Sequence, residues 1–271
     1  MITIRHRIVQ SFKDVWKPAV IFMLLFAICI ALHVIAISVI SMFTRRNKRC
    51  VKMNNFFRRV SIQTLDLVMR IMRIKLRVSG MEMIPENKRF LLICNHLSVF
   101  DPIIAMRTFS KNEVAFISKK ENVEIPFIGR LMTASGCLAL DRDNNRDAVR
   151  TIRQASNQIT DDISSMGIYP EGGINKTDKI LLPFHRGSFK IAKNANSPIV
   201  VTTIKNTEKI CRRFFFSATD VYLDVIRVIQ PEEVSSMSTA ELSEMVWNIM
   251  HRHISEQYVD RSEAEGQEAA C

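Results

Sequence analysis

"RFLLICNHLSVFDP", residues 89–102, decides how the rest of the chain is read. Its first half is an apolar run of the length of a buried strand, and the run stops abruptly at Asn95 and His96. Five residues after the histidine, Asp101 and Pro102 read as a helix start, with the aspartate as N-cap and the proline at the first helical position. A strand feeding a helix through a polar turn is the unit of an α/β fold, and ligands of such folds gather where the strands end. The turn can bring Asp101 back to His96. A carboxylate on Nδ1 fixes the imidazole tautomer and leaves Nε2 free to take a proton from an alcohol. The same spacing suits a capping aspartate beside a hydrogen-bonded histidine, so the pair alone does not separate chemistry from structure.

Outward from this stretch the alternation continues. Short apolar strands are predicted over residues 90–94, 114–117, 137–140, 167–169, 199–204 and 221–229, with helices over 102–108, 145–163 and 187–194. The expected architecture is α/β, a mixed and largely parallel sheet flanked by helices. A last helix starts near Ser238, where Ser238 and Glu241 have capping-box spacing, and the tail over residues 261–271 is expected to be disordered.

With 271 residues, 47% of them hydrophobic, the chain fills one sizeable α/β domain plus an appendage and would be cramped as two. The six cysteines have no C-x-x-C spacing and several sit in apolar runs, which points to a reducing compartment without a disulfide framework. No metal site is expected, because His251 and His253, two residues apart, would face different sides of a helix.

The net charge of +11 is concentrated at one end: residues 1–90 carry +13 and residues 91–271 carry −2. A basic block can bind nucleic acid, but this one encloses 25 residues, 19–43, without a formal charge. At about 1.5 Å per residue that run exceeds the roughly 30 Å hydrocarbon core of a bilayer, and it reads as a transmembrane helix. A secretory signal is the alternative; the run is long for one and lacks a small-residue cleavage site. Because the denser cluster, "TRRNKRCVK" at residues 44–52, follows the run, the rest of the chain is expected on the cytoplasmic face of the cell membrane. Residues 60–78 repeat apolar positions at helical spacing with Arg and Lys between them. They read as a basic amphipathic helix suited to an anionic membrane surface, or as a core helix, and "RIKLRV" within them alternates as a strand would. The resulting division is 1–44, basic flank and transmembrane helix; 45–79, basic amphipathic segment; 80–260, the α/β domain; and the tail.

Five stretches then stand in a telling order: "NHLSVFDP", "FISKKENVEIPFIGRLM", "CLALDR", "IYPEGGINKTDKILLPFHRGSFKIA" and "PIVVT". In order and spacing, over residues 90–202, they resemble the four motif blocks of the glycerolipid acyltransferase family, most closely its bacterial-type 1-acylglycerol-3-phosphate acyltransferases. The resemblance implies a membrane-anchored O-acyltransferase that converts lysophosphatidic acid to phosphatidic acid with acyl-CoA or acyl carrier protein as donor, and no other cofactor. It implies His96 as general base and Asp101 as its orienting partner. Lys119 and Arg142 fall at the family's cationic positions and are expected to hold phosphate; Glu171 and Gly172 fall in its aromatic-Pro-Glu-Gly block. No serine or cysteine nucleophile is expected: a G-x-S-x-G elbow is lacking, Cys94 reads as strand core and Ser98 as a turn residue.

The likeness departs at Gly173, Ile174 and Asn175, where the family usually has Thr-Arg-Ser. The phosphate-gripping arginine is missing, with Lys176 the nearest replacement, so acylation of another lyso-lipid is the second expectation. A non-catalytic, membrane-bound lipid-binding relative is the third, and the presence of both His96 and Asp101 speaks against it.

Overall fold

The computed structural model describes residues 55–125, 128–141, 143–213 and 217–268. The chain divides into residues 1–45 and 46–271. The expected transmembrane helix over residues 19–43 lies outside the described residues, and no helix among those described is long and apolar enough to cross a membrane.

The strands are β1 (Ile74–Ser79), β2 (Leu91–Cys94), β3 (Ala115–Lys119), β4 (Leu138–Leu140), β5 (Met166–Ile168), β6 (Ile199–Lys205) and β7 (Thr219–Ile229). They form one sheet in the order β1-β7-β6-β2-β5-β3-β4. From β6 to β4 all neighbours are parallel; β7 runs antiparallel to β6, and β1 parallel to β7. The sheet is thus mixed and largely parallel, as expected. Its centre is β2, whose four residues are all buried, together with β6, buried in six of its seven positions. Strands covered on both faces read as unbroken apolar runs, which is why these two were plain in the sequence.

The helices are α1 (Asn55–Ile71), α2 (Asp101–Thr108), α3 (Lys120–Glu124), α4 (Ile128–Ala134), α5 (Asn145–Thr160), α6 (Lys190–Ala195), α7 (Ile210–Arg213), α8 (Pro231–Ser236) and α9 (Thr239–Glu268). Local chemistry sets several starts. The Asn144 side chain accepts from the backbone N–H groups of Arg146 and Asp147 to open α5. Ser238 and Glu241 form the expected capping box ahead of α9, with bonds of 2.7 and 3.2 Å.

Three expectations are corrected. The division at residue 79 moves: α1 stops at Ile71, Arg73 takes the left-handed conformation (φ 53°), and "IKLRVS", whose alternation already allowed a strand, runs back as β1, paired with β7. That turn uses a conformation usually marked by glycine, and arginine gives no such sign. The sheet therefore takes in residues 74–79, placed by the sequence in the preceding segment. Next, α9 continues to Glu268 through most of the tail expected to be disordered; its Ala- and Glu-rich composition propagates a helix once the capped start is in place. The third concerns Asp101, below.

Candidate active site

Parallel neighbours β2 and β5 end at the same edge of the sheet, and the loops that follow them build the site. At the last residue of β2 the ladder to β6 is continued by a side chain. Asn95 donates from Nδ2 to the Ile204 carbonyl (2.9 Å) and accepts the Ile204 N–H on Oδ1 (2.8 Å). This buried amide ends the strand at a fixed point and sets where His96 begins.

Asp101 is the first residue of α2, with Phe100 at the N-cap, so it does not cap the helix. Its carboxylate turns back into the 96–98 turn. Oδ2 accepts from His96 Nδ1 (2.8 Å), Leu97 N (2.7 Å) and Ser98 N (2.8 Å), and the side chain is fully buried. Three donors on one oxygen outbid the helix's own N–H groups for it. An acceptor-only oxygen at Nδ1 keeps a neutral imidazole's proton there and puts the lone pair on Nε2. Among the described residues nothing is hydrogen-bonded to Nε2.

Glu171, from the loop after β5, holds the backbone around that ring. Oε1 accepts His96 N–H at 2.8 Å and Oε2 accepts Leu182 N–H at 2.9 Å. Burial pushes its carboxyl above the usual range, against the two backbone bonds, which lower it. Gly172 makes the turn that aims Glu171: its φ is 78°, and its N–H bonds the Tyr169 carbonyl at 3.0 Å. A side chain there would strain the backbone. Asn175, in the stretch that departs from the family, donates its N–H to the His96 carbonyl at 2.7 Å. Its side chain ties its own loop, Nδ2 to the Lys179 carbonyl (2.8 Å) and Oδ1 from Thr177 (N–H 3.0 Å, Oγ1 2.7 Å).

His96, Asp101, Glu171 and Gly172 are thus brought together at one edge. Lys119 ends β3 at the same edge, 57% exposed and paired with Glu121 Oε1 at 3.1 Å; Lys176 is exposed on the Asn175 loop. Neither is bonded to the His96–Asp101 pair among the described residues, and Arg142 lies outside them. Cys94 is buried beneath the site and burial pushes its thiol far up, while Cys137 is pushed up to about 11; neither is a thiolate nucleophile. Among the described residues no group of three or more His, Cys, Asp or Glu could hold a metal ion.

The sequence missed the groups that frame the histidine. Asn95 and Asn175 stand out only as polar residues at a strand end and in a loop. Tyr169 stacks on the His96 ring with centroids 4.1 Å apart and planes within 15°. That contact depends on β2 lying beside β5, which no local signal announces.

Comparison with known proteins bears on the domain and the fold. A family model described as Acyltransferase matches residues 75–205. A 1-acyl-sn-glycerol-3-phosphate acyltransferase of Saccharomyces cerevisiae is 26% identical over 183 residues, 66% of this chain and 60% of that protein. One from Cocos nucifera is 31% identical over 147 residues, 54% and 46% of the two chains. One from Borreliella burgdorferi is 28% identical over 175 residues, 64% and 69%. The match thus spans about half to two thirds of these relatives' own length. In three dimensions the chain matches the crystal structure of a 1-acyl-sn-glycerophosphate acyltransferase from Thermotoga maritima, with TM-score 0.60 and 22% identity over 82% of this chain and 87% of that one, a likeness of fold. Motif order, matched domain and fold agree, and over residues 75–205 this chain is similar to the acyltransferase family.

Proposed function

We propose that the chain transfers a fatty acyl group from acyl-CoA or acyl carrier protein to the sn-2 hydroxyl of lysophosphatidic acid, giving phosphatidic acid. The observation that carries the reading is the His96 Nδ1 to Asp101 Oδ2 contact of 2.8 Å with Nε2 left unbonded among the described residues. Nε2 takes the acceptor's hydroxyl proton as the oxygen attacks the thioester carbonyl carbon. The new C–O ester bond forms, the C–S bond breaks, and the departing sulfur takes the proton from the imidazolium, which returns His96 to its starting form. Asp101 holds the tautomer and faces the charge on the ring. Lys119, Arg142 and Lys176 are the cations proposed to receive the acceptor phosphate or the donor.

Anchoring by residues 19–43 on the cytoplasmic membrane face belongs to the same proposal. It is supported by the 25 uncharged residues over 19–43 and the basic cluster that follows them. The test is a thioester-release assay on membranes containing the protein, offered a panel of lyso-lipids. Thiol release that depends on lysophosphatidic acid is expected, and no release with any acceptor would overturn the reading.

A second acceptor is favoured by one observation: Gly173–Asn175 carry no cation, and the Asn175 amide is committed to His96. Lysophosphatidic acid is then accepted with weak discrimination against lyso-lipids whose phosphate is esterified. A Cβ at Gly173 meets no atom within 4 Å, so Gly173→Thr with Ile174→Arg has room there. That double substitution should lower KM for lysophosphatidic acid by about tenfold, the scale of one charge-assisted contact. Orders-of-magnitude preference for lysophosphatidic acid in the unsubstituted protein would contradict the second reading.

A further inference from the structure

Behind His96 stands a column of rings. Tyr169 lies flat on the imidazole at 4.1 Å, and Phe116 of β3 lies flat on the other side of Tyr169, at 5.2 Å and 11°. Phe116 in turn rests against the bare backbone of Gly167 in β5: a Cβ at Gly167 would fall 2.4 Å from its Cε1. Gly167 takes no positive φ, so what its missing side chain supplies is this close approach. Three residues, from β3, β5 and the loop after β5, thus fix one face of the histidine.

The tyrosine hydroxyl is not what the arrangement uses. It is buried with no hydrogen-bond partner among the described residues, and burial holds the phenol well above its ordinary range, so it neither gives nor takes a proton near neutral pH. The ring face is what meets His96. An aromatic face attracts a cation brought against it, and the imidazole becomes a cation when it takes the acceptor's proton.

Resting on the general-base reading above, we infer that Tyr169, backed by Phe116 over Gly167, is a positioning residue: its π face holds the imidazole in line between Asp101 and the incoming hydroxyl and favours the ring once charged. Tyr169 touches no reacting atom, so its effect falls on kcat and leaves the acceptor's KM alone.

The test is steady-state acyl transfer to lysophosphatidic acid by the full chain in its membranes, for the unsubstituted protein, His96→Ala, Tyr169→Met and Tyr169→Phe. Activity in the first and its loss in the second establish the base independently of the column. Tyr169→Met fills the volume without a π face and should lower kcat about tenfold with KM within about twofold, the scale of one desolvated aromatic–cation contact. Tyr169→Phe restores the face and should restore kcat. Should Tyr169→Met fail to fold, Phe116→Leu, which removes only the backing ring, must still lower kcat several-fold at constant KM. Equal kcat in the Met and Phe variants, or a loss confined to KM, overturns the inference, as does an unaltered rate in Phe116→Leu where that variant decides.

Discussion

The two ends of β2 both carry charge next to the same buried strand, and they treat it in opposite ways. At the start, Arg89 is closed on every side: Nε bonds Asp162 Oδ1 at 2.7 Å, one terminal nitrogen bonds the Asn112 carbonyl at 2.8 Å, and the other bonds Glu113 at 2.6 Å, which also pairs with Arg58 at 3.1 Å. At the finish, the buried Asp101 takes three donors on one oxygen, and the histidine it orients keeps Nε2 unbonded among the described residues. A network in which each of the three Arg89 guanidinium nitrogens has a protein partner joins pieces of the fold. A network that leaves a histidine nitrogen open among the described residues at the rim of the sheet is built to meet a reactant.

If that contrast is right, damage at the two ends must differ in kind. The largest effect is expected from Asp101→Asn, which upsets the tautomer: turnover should fall by roughly 10³-fold or more, with acyl transfer as the readout. Arg89→Ala should do the reverse. Leaving the largely buried Glu113 short of a partner should cost about 2–3 kcal/mol in denaturant unfolding, while kcat per folded molecule stays within about twofold. Glu171 sharpens the comparison because it is structural at the reactive end. Its carboxyl is raised by burial above its ordinary 4.5, so the native state holds the proton more tightly than the unfolded chain, and its contribution to stability fades as pH rises from there through the raised value. Thermal melts taken as pH rises from about 4.5 should lose this downward slope in Glu171→Gln, which does not titrate. The smallest effect is expected from Asn175→Ala, which removes the side-chain bonds to Lys179 and Thr177 but not the amide bond to His96: about 1 kcal/mol by melting, with a few-fold loss of kcat.

What could be read from the sequence follows the range of the physics involved. The α/β alternation was legible because β2 and β6 are covered on both faces and appear as unbroken apolar runs. The α9 start was legible because Ser238 and Glu241 are three residues apart and cap each other. His96 and Asp101 were legible as a pair because one turn joins them; the direction of the Asp101 carboxylate was not, since it depends on how Leu97 and Ser98 present their N–H groups. The break at Arg73 had no marker residue. The Tyr169 and Phe116 rings, the Asn95 rung to Ile204 and the Asn175 bond all need the strand order, which local patterns do not contain.

The central claim is that His96 is the base and not one more strut. The most direct measurement is acyl transfer to lysophosphatidic acid by His96→Ala in the same membranes as the unsubstituted protein, with thermal midpoints taken on both. A loss of about 10²–10⁴-fold in kcat at an unchanged midpoint is the expected result. Near-normal turnover by a folded His96→Ala would contradict the account.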